Sequence, residues 1–574
     1  MKNALLLFLF FAAFYLVSLG GRPLVAPDEF RYAQIPYEML ESGNFAAPQM
    51  FGHPYFEKPA LGHWLTAASF KLFGFNAFAI RFPSAFLTGI TALFTGLLIY
   101  AALRDKRLSV LGAVMYLCCG MVYGIGVFAV LDAQVTMFST GAALCAFLYL
   151  QKERPLVSKI IMLILCGIFC GLGFMVKGVP AWVVPALGTA GFIVWQKRWK
   201  EFLIMPWLPL LFTVLTILPW AICVHRADGD FWRYFIEIEH IQRFTRDTSG
   251  QHPAPWWFLL PFFVIGAFPA ALLLVSCIGS VKAVIKMMQP QPLYRFAACS
   301  AILPLILFSC SSGKLATYIL PCFPGVAILM AGAVATALRN YGRSEKNLEI
   351  LFSVCGWLFA AVGILAVPAG YIMRFFFEQY PRCSCIAPLV LAAGASAAAA
   401  GVMLLLSAKK PVRVRLWFFA MLFVLPAMVV PFFIDWRLKE YKMPGPVLED
   451  IKQQLGIRSG VHIVTRPSLM HAAAWSFKTC DLQLYRAVGE VEYADERAAA
   501  EGRRRLKLDK EEYIKLLNTK KRKDIVCISF TDRPFPAVPG RKPESKFTCG
   551  ELTVRYFPAD IKISQDEKTQ SAGK

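Results

Sequence analysis

Residues 84–103 read SAFLTGITALFTGLLIYAAL and are followed at once by Arg104-Asp105-Lys106-Arg107. The stretch contains no charged residue, and about 20 predominantly apolar residues are the length of an α-helix that crosses a bilayer. Short cytoplasmic loops are rich in Lys and Arg, and the residues after the stretch fit that rule. We therefore predict a membrane-spanning helix with a cationic cytoplasmic loop behind it.

The same pattern recurs along the chain, of whose 574 residues 57% are hydrophobic. Soluble domains contain about 45–50% apolar residues, so this composition excludes a soluble protein. Counting apolar runs at roughly 20 residues each predicts about thirteen spans, which places the two termini on opposite sides of the membrane. The runs lie near 4–20, 84–103, 108–125, 130–150, 159–176, 178–195, 203–224, 257–279, 297–311, 317–338, 349–372, 387–407 and 414–434.

The formal net charge of +23 has a simple explanation in this pattern. In a soluble protein it would suggest nucleic acid, but here the cations collect in the loops after every second span. We predict that those loops and the N-terminus are cytoplasmic, and we expect no nucleic-acid partner. The alternate loops, with long ones at 21–83 and 225–256, and the C-terminal segment then face outward.

The composition becomes polar after residue 435, where helix-like and strand-like pieces alternate. We predict a transmembrane domain over residues 1–435 and a soluble α/β domain over residues 436–574, which is long enough to bury a core of its own. The helix-like pieces are 447–455 and 511–521, and the strand-like pieces are 461–465, 524–530 and 552–557.

The first long loop contains PDEFRY at residues 27–32. Proline and acidic residues are favoured in the first turn of a helix, so a helix is predicted to begin here. Asp28, Arg31 and Tyr32 would share one face of it. One interpretation is a helix-capping acid with a local ion pair. The other is a functional group, because an acidic residue beside an apolar span is energetically costly unless it is solvated or has a function.

The same loop contains PYFEKP at residues 54–59, and a helix is predicted over residues 60–73 behind Pro59. Glu57 and Lys58 would then lie at a helix N-terminus, where a phosphate is readily bound, although a solvated ion pair is the alternative. The apolar character of this helix is typical of one that lies along the membrane surface.

Two lone ionisable residues, Asp132 and Lys177, stand at the mouths of apolar spans, which makes them functional candidates. Lys314 and Tyr318 lie four residues apart in SSGKLATY, a loop that lacks the glycine spacing of a Walker motif.

The long loop at 225–256 pairs Arg233 with Glu237 and Glu239 with Arg243 at helical spacing. These charges are typical of the wet face of an interfacial helix. His240 between them would bind a metal if a carboxylate joined it, whereas a lone histidine is more often simply hydrogen-bonded.

Convergent cations on the outer loops predict an anionic ligand, and a phosphate fits best. Since no strand–glycine–helix unit for a nucleotide precedes them, we expect a membrane-carried phosphate ester as activated donor and no nucleotide cofactor. The residues concerned are Asp28, Arg31, Lys58, Asp132, Lys177 and Lys314, with Tyr32, Tyr55 and Tyr318 as hydrogen-bond donors.

Five blocks of sequence follow one another in a recognisable order: RP at 22–23 with PDEFRY at 27–32, YFEKP at 55–59, FAIR at 78–81, EHIQRF at 239–244 and GKLATYILP at 313–321. Together they resemble the bacterial lipid A aminoarabinosyltransferases, members of the GT-C class that also contains the protein O-mannosyltransferases. The likeness extends from about residue 20 to residue 325, and no motif of the C-terminal segment contributes to it.

The resemblance implies a polytopic α-helical GT-C fold and transfer of 4-amino-4-deoxy-L-arabinose from undecaprenyl phosphate to lipid A, at the periplasmic face of a Gram-negative inner membrane. It implies that Lys58 holds the donor phosphate with help from Arg31. Asp28 would be the catalytic or positioning carboxylate. If the acceptor is a phosphate, Asp28 would orient it or pair with the sugar ammonium; if the acceptor is a hydroxyl, Asp28 would be the general base.

The remaining sites are implied in the same way. Asp132 and Lys177 match further polar positions of the cavity and are predicted, with Asp28, as catalytic residues. Glu57 and His240 match positions that would share one divalent metal ion. The predicted donor-phosphate and substrate-binding residues are Arg31, Tyr32, Tyr55, Lys58, Arg243, Lys314 and Tyr318.

Two other functions stay open at this point. A related transferase would use a polyprenyl phosphate sugar with a protein or another glycan as acceptor. A lipid flippase or transporter would also place ionisable residues within a bundle, but it would show repeats and broken helices at the midplane, which this sequence does not indicate.

Overall fold

The computed structural model divides into two compact units. The first comprises residues 1–22 and 56–434, and the second comprises residues 23–55 and 435–574. The residues that the structure describes are 2–151, 154–242, 253–376, 381–435, 437, 440–457, 460–519 and 523–559.

The first unit is built from helices. Within the described ranges, nine are long and apolar enough to cross a membrane, or ten if one pair bent by 103° counts as a single span. Shorter apolar helices occupy three further predicted spans. The polytopic architecture is therefore confirmed, and the count of thirteen spans stays a prediction. The nine are Ala77–Leu103, Asp132–Leu150, Leu156–Lys177, Trp199–Ala227, Pro292–Cys310, Ala316–Asn340, Gly342–Phe375, Ile386–Lys409 and Val412–Phe433; the bent pair is Ala270–Cys277 with Val281–Met288, and the shorter ones are Leu5–Leu16, Pro180–Trp195 and Trp256–Gly266.

Short helices connect these spans and carry several of the predicted site residues. The helix expected after Pro59 is present and begins at Leu61. The short helices are Leu61–Phe73, Lys106–Leu117, Gly120–Gly126, Phe231–Arg233 and the π-helical segment Tyr234–Gln242. The 3-10 helix Ala316–Cys322 forms the first part of the span Ala316–Asn340.

Small residues let neighbouring helices of the first unit approach closely. A Cβ added at Gly363 would lie 2.4 Å from both the Ala398 side chain and the Gly394 carbonyl oxygen. A Cβ added at Gly394 would lie 2.3 Å from the Ala366 Cβ. Because lipid is as apolar as the helices, close backbone packing of this kind is a main source of association between helices in a membrane.

The contacts of Arg81, in the FAIR block, indicate that this residue has a structural role. Its side chain is fully buried, and Nη1 donates to the carbonyl oxygens of Leu19 at 2.6 Å and Arg22 at 3.0 Å. These carbonyls lie where the chain leaves the first apolar helix, so Arg81 stabilises the entry to the first long loop.

The second unit contains a six-stranded sheet, which confirms the predicted C-terminal α/β character. The strands are β3 His462–Thr465, β4 Leu482–Tyr485, β5 Lys507–Leu508, β6 Ile525–Phe530, β7 Ser545–Cys549 and β8 Leu552–Phe557; the helix Gly445–Gln454 precedes them, and the helices Met470–Phe477, Glu492–Ala500 and Lys510–Asn518 lie between them. The strand order in the sheet is β5-β4-β3-β6-β8-β7; β5, β4, β3 and β6 run parallel, and β8 is antiparallel to β6 and β7.

Residues 23–55 pack with the C-terminal residues, although the sequence assigns them to the membrane part. The helix Asp28–Ser42 supplies Gln34, whose Nε2 donates to the Thr479 carbonyl oxygen at 3.3 Å. The Ala26 amide donates to the Lys442 carbonyl oxygen at 2.7 Å. The polar helix Asp28–Ser42, which cannot be buried in lipid, thus finds hydrogen-bond partners among the C-terminal residues.

A small hairpin completes this segment. Strands β1 Gln49–Met50 and β2 His53–Pro54 are joined by Phe51 and Gly52, both at positive φ as a two-residue primed turn requires. The Glu38 carboxylate accepts hydrogen bonds from the amides of Phe51 at 2.8 Å and Gly52 at 3.1 Å. Burial raises the pKa of Glu38, an effect that these hydrogen bonds oppose.

Candidate functional site

Lys58 lies in the first unit, in the turn before the helix Leu61–Phe73, and its side chain is buried. Its Nζ forms an ion pair with the Glu239 carboxylate and donates to the Glu57 carbonyl oxygen at 2.9 Å. The side chains of Lys58 and Glu239 are only 11% and 10% exposed. A buried ammonium is costly unless it is paired, so Glu239 holds the charge of Lys58 in place.

Aromatic contacts bring the Glu239 segment to this position. The Phe56 ring lies 5.5 Å from the Phe231 ring and 6.1 Å from the Tyr234 ring, measured between centroids. The sequence pattern predicts that Glu239 lies on the wet face of an interfacial helix. The structure places it at the Lys58 site instead. The predicted Arg233–Glu237 pair is present at 3.7 Å with both side chains mostly exposed, so the wet face is confirmed for that pair alone.

Glu57 and His240 do not define a metal site by themselves. Glu57 is buried, His240 lies in the segment Tyr234–Gln242 with its side chain outside the described part, and Arg243 lies outside the described residues altogether. Across the described ranges, no three His, Cys, Asp or Glu side chains gather closely enough to hold a metal ion. One described carboxylate is too small a ligand set, so the metal stays a prediction.

Asp132 and Lys177, 45 residues apart, form a further ion pair of the first unit, with Nζ 2.7 Å from Oδ1. Asp132 is the first residue of the helix Asp132–Leu150, and Lys177 is the last residue of Leu156–Lys177. Each charge is favoured by the helix dipole at its own terminus. Gly178, at φ +83°, ends the second helix there.

Tyr318 joins this pair, because its ring centroid lies 4.9 Å from the Lys177 Nζ. An ammonium at that distance over an aromatic face makes a cation–π contact. Lys314, four residues earlier, instead donates from Nζ to the Ala254 carbonyl oxygen at 2.7 Å and is buried. Helical spacing therefore does not describe Lys314 and Tyr318, because only Tyr318 lies in the 3-10 helix Ala316–Cys322.

The Lys58 and Asp132 segments are adjacent within the first unit. A Cβ added at Gly62 would lie 2.5 Å from Leu131 Cδ2 and 3.1 Å from Gln134 Oε1. Glycine at this position lets the helix after Lys58 pack directly against the start of the helix that begins at Asp132. Lys58, Asp132 and Lys177 are thus held on one connected scaffold.

The predicted group of the first loop lies in the second unit. Arg31 Nη2 is 3.1 Å from Asp28 Oδ1 and 3.2 Å from Glu490 Oε2. The Arg31 side chain is 14% exposed, whereas that of Asp28 is 46% exposed. The Arg31 Cζ atom also lies 5.9 Å from the centroid of the Tyr32 ring. The predicted helix face of Asp28, Arg31 and Tyr32 is therefore confirmed, and Tyr55 of the same unit is buried.

Glu239 and Glu490 are the residues that the sequence analysis missed as partners. Glu239 carried a signal, since a buried lysine requires a carboxylate, but helical spacing assigned it to Arg243. Glu490 carried none, because it lies in a segment without a recognisable motif.

The comparisons with known proteins agree with this architecture. Residues 1–235 match the dolichyl-phosphate-mannose-protein mannosyltransferase family. An undecaprenyl phosphate-alpha-4-amino-4-deoxy-L-arabinose arabinosyl transferase of Aeromonas hydrophila is 34% identical over 554 residues, which cover 96% of this chain and 98% of that protein. A protein of the same name from Erwinia tasmaniensis is 32% identical over 568 residues, covering 97% and 99%.

The crystal structure of ArnT from Cupriavidus metallidurans bound to undecaprenyl phosphate superposes with a TM-score of 0.77 over 97% of each chain, at 20% sequence identity. The apo structure of the same protein gives a TM-score of 0.76.

The helical membrane unit with its sheet-containing C-terminal domain is therefore a GT-C fold, and the protein is a multi-pass inner-membrane glycosyltransferase. At 34% identity over nearly its whole length, the chain belongs to the family of undecaprenyl phosphate-alpha-4-amino-4-deoxy-L-arabinose arabinosyl transferases.

Proposed function

We propose that this protein transfers 4-amino-4-deoxy-L-arabinose from undecaprenyl phosphate to a phosphate group of lipid A. The proposal rests mainly on the 34% identity between this chain and a transferase that is named for this donor, in an alignment that covers 98% of that transferase. The buried Lys58 of the YFEKP block supports it, because a phosphate ester needs a cation in a place where water is scarce.

Lys58 is proposed to bind the donor phosphate. An acceptor oxygen attacks the anomeric carbon of the sugar, the bond from that carbon to the phosphate oxygen breaks, and the electron pair leaves with undecaprenyl phosphate. Negative charge grows on the leaving phosphate, so a fixed ammonium stabilises the transition state more than the ground state. Before the donor arrives, that ammonium is paired with Glu239.

Asp28 and Arg31 keep the roles that the sequence resemblance implies. A lipid A phosphate is ionised at neutral pH and needs no general base, so Asp28 is proposed to orient the acceptor or to pair with the ammonium of the donor sugar. An exposed fraction of 46% leaves its carboxylate accessible to a substrate. Arg31 is proposed to help bind the donor phosphate, for which a guanidinium fork is well suited.

Asp132, Lys177 and Tyr318 are proposed to contact the transferred group. Their connected ion pair and ring contact keep two charges and a phenol in fixed positions near the Lys58 segment.

The long loops and the C-terminal unit are proposed to face the periplasm, with the N-terminus in the cytoplasm. The alternation of cationic and non-cationic loops supports this orientation. A reporter that is active only in the cytoplasm, fused after Tyr441, should be silent, and a periplasmic reporter at the same point should be active. The opposite result would reverse the topology.

The direct test supplies the purified protein with undecaprenyl phosphate-linked aminoarabinose and lipid A, and product is followed by mass spectrometry. Lipid A that gains one aminopentose per transfer supports the proposal. Transfer to a protein or another glycan, with none to lipid A, would make the protein a related transferase. Donor movement across vesicles without any transfer would make it a transporter.

A further inference from the structure

Arg31 is held by two carboxylates that come from distant parts of the second unit. Its Nη2 lies 3.1 Å from Asp28 in its own helix and 3.2 Å from Glu490 in the C-terminal sheet domain. Both acids thus lie within ion-pair distance of the same nitrogen, so the orientation of the guanidinium is constrained from two sides. A guanidinium binds a phosphate well only when its fork is oriented correctly.

Glu490 is itself held in position by a histidine of the same unit. His471 contacts the Glu490 Oε1 through Nε2, and its side chain is 3% exposed. A carboxylate only accepts hydrogen bonds, so the proton of this contact lies on Nε2. The other ring nitrogen, Nδ1, is buried without a hydrogen-bond partner among the described residues, which is tolerable for an unprotonated nitrogen and costly for an N–H group.

The surroundings leave this group little freedom. The His471 ring lies 5.7 Å from the Phe51 ring of the hairpin, between centroids. Glu490 lies in the 3-10 helix Gly489–Val491, whose first residue has φ +60°. A rigid turn and a packed histidine thus present one Glu490 oxygen to Arg31.

We propose that Glu490 is a positioning residue for the donor: it acts through Arg31, and His471 holds it in the required orientation. This inference rests on the proposed function, in which Arg31 helps to bind the donor phosphate. It gives the C-terminal domain a role in donor binding, since a side chain of that domain orients a side chain of the first loop.

The test measures initial rates against donor concentration for Glu490→Gln and Glu490→Asp, each purified as the full chain in detergent. Glu490→Gln keeps the size of the side chain but loses its charge, so we expect the KM for the donor to rise about tenfold with a smaller change in kcat. Glu490→Asp should recover part of the loss. The matched control is Glu496→Gln, an exposed glutamate in the helix Glu492–Ala500, which should match the wild type.

A double-mutant cycle separates positioning from mere folding. If Glu490 acts through Arg31, Arg31→Ala combined with Glu490→Gln should bind donor no worse than Arg31→Ala alone. Additive losses, or a KM for Glu490→Gln equal to that of Glu496→Gln, would overturn the inference. A wild-type protein that makes no product from this donor would instead overturn the proposed function, so the two failures are distinguishable.

Discussion

Lys58 and Glu239 form a buried ion pair although 181 residues separate them along the chain. Lys58 is the proposed ligand of the donor phosphate, so its ammonium already has an anionic partner before the donor binds. A phosphate that reaches Lys58 must share it with Glu239 or displace that carboxylate, and the two anions repel each other. The pair therefore tunes how strongly the donor is held.

Opposite effects are expected for substitutions of the two partners. Lys58→Ala removes a charge-assisted contact worth about 1.5–3 kcal/mol, so donor affinity should fall roughly ten- to hundredfold. Glu239→Gln removes the competing anion and leaves a buried ammonium in need of one, so the donor should bind more tightly, by about tenfold at most. Binding is measured with labelled undecaprenyl phosphate on the purified proteins.

Glu237→Gln is the matched control for that comparison, because Glu237 lies in the same segment with its side chain 58% exposed. It should leave affinity unchanged. Weaker donor binding in Glu239→Gln would show that Glu239 orients Lys58 for the phosphate and does not compete with it.

Asp28→Asn is expected to stop turnover while donor binding persists. The substitution keeps the shape of the side chain and removes its charge, so contacts to the acceptor or to the sugar ammonium are lost while the Lys58 contact stays. General acid–base and orienting groups commonly contribute about 10²–10⁴-fold, which sets the expected fall in kcat. Near-normal turnover would reduce Asp28 to a helix-capping residue with a local ion pair to Arg31.

Asp132 and Lys177 should behave as one unit. Removing either partner leaves the other, which is largely shielded from water, without its opposite charge, so Asp132→Asn and Lys177→Ala should each lower activity strongly. The double variant should lose less than the sum of the two, with a coupling energy of about 0.5–3 kcal/mol from kcat/KM in a double-mutant cycle. Additive effects would mean that the two residues serve separate steps.

The C-terminal domain should lose stability in acid through Asp481. Burial alone would raise the pKa of this carboxyl, but hydrogen bonds from His462, Lys523 and Arg504 hold it well below its ordinary value. A carboxyl with a lowered folded-state pKa stabilises the fold above its unfolded pKa of about 3.9, and the contribution disappears as the pH falls through the folded-state value.

Asp481→Asn should therefore lower the free energy of unfolding at pH 7 by about 1.5–3 kcal/mol. This loss is detected as a lower thermal midpoint of the protein in detergent. The gap to the wild type should narrow as the pH is lowered below about 4. Asp532→Asn, at a side chain that is 74% exposed, provides the control. A gap that stays constant with pH would exclude ionisation of Asp481 as its source.

The metal prediction is tested at His240. If Glu57 and His240 share a divalent ion, chelation should slow turnover, and His240→Ala should reproduce the effect and become insensitive to the chelator. Metal content of the purified protein, measured by mass spectrometry, gives a second readout. Full activity with chelator and in His240→Ala would leave His240 as an ordinary hydrogen-bonded histidine.

The sequence by itself determined the membrane architecture and much of the local structure. Long apolar runs became helices because a backbone in lipid must satisfy its hydrogen bonds within one segment. The helix Asp28–Ser42 begins at the predicted acid, the helix Leu61–Phe73 follows Pro59, and strand β8 matches the predicted piece at 552–557. These features depend on neighbours within a few residues, which the sequence displays directly.

Only the tertiary structure decided which charges meet. Glu239 pairs with Lys58, Lys177 with Asp132, and Glu490 with Arg31, none of which helical spacing indicates. The packing of residues 23–55 with the C-terminal sheet was likewise not visible in the sequence. A buried charge requires a partner of opposite sign, but the sequence contains many acidic residues that could fill this role. The packing of the helices and loops that carry these residues determines which of them becomes the partner.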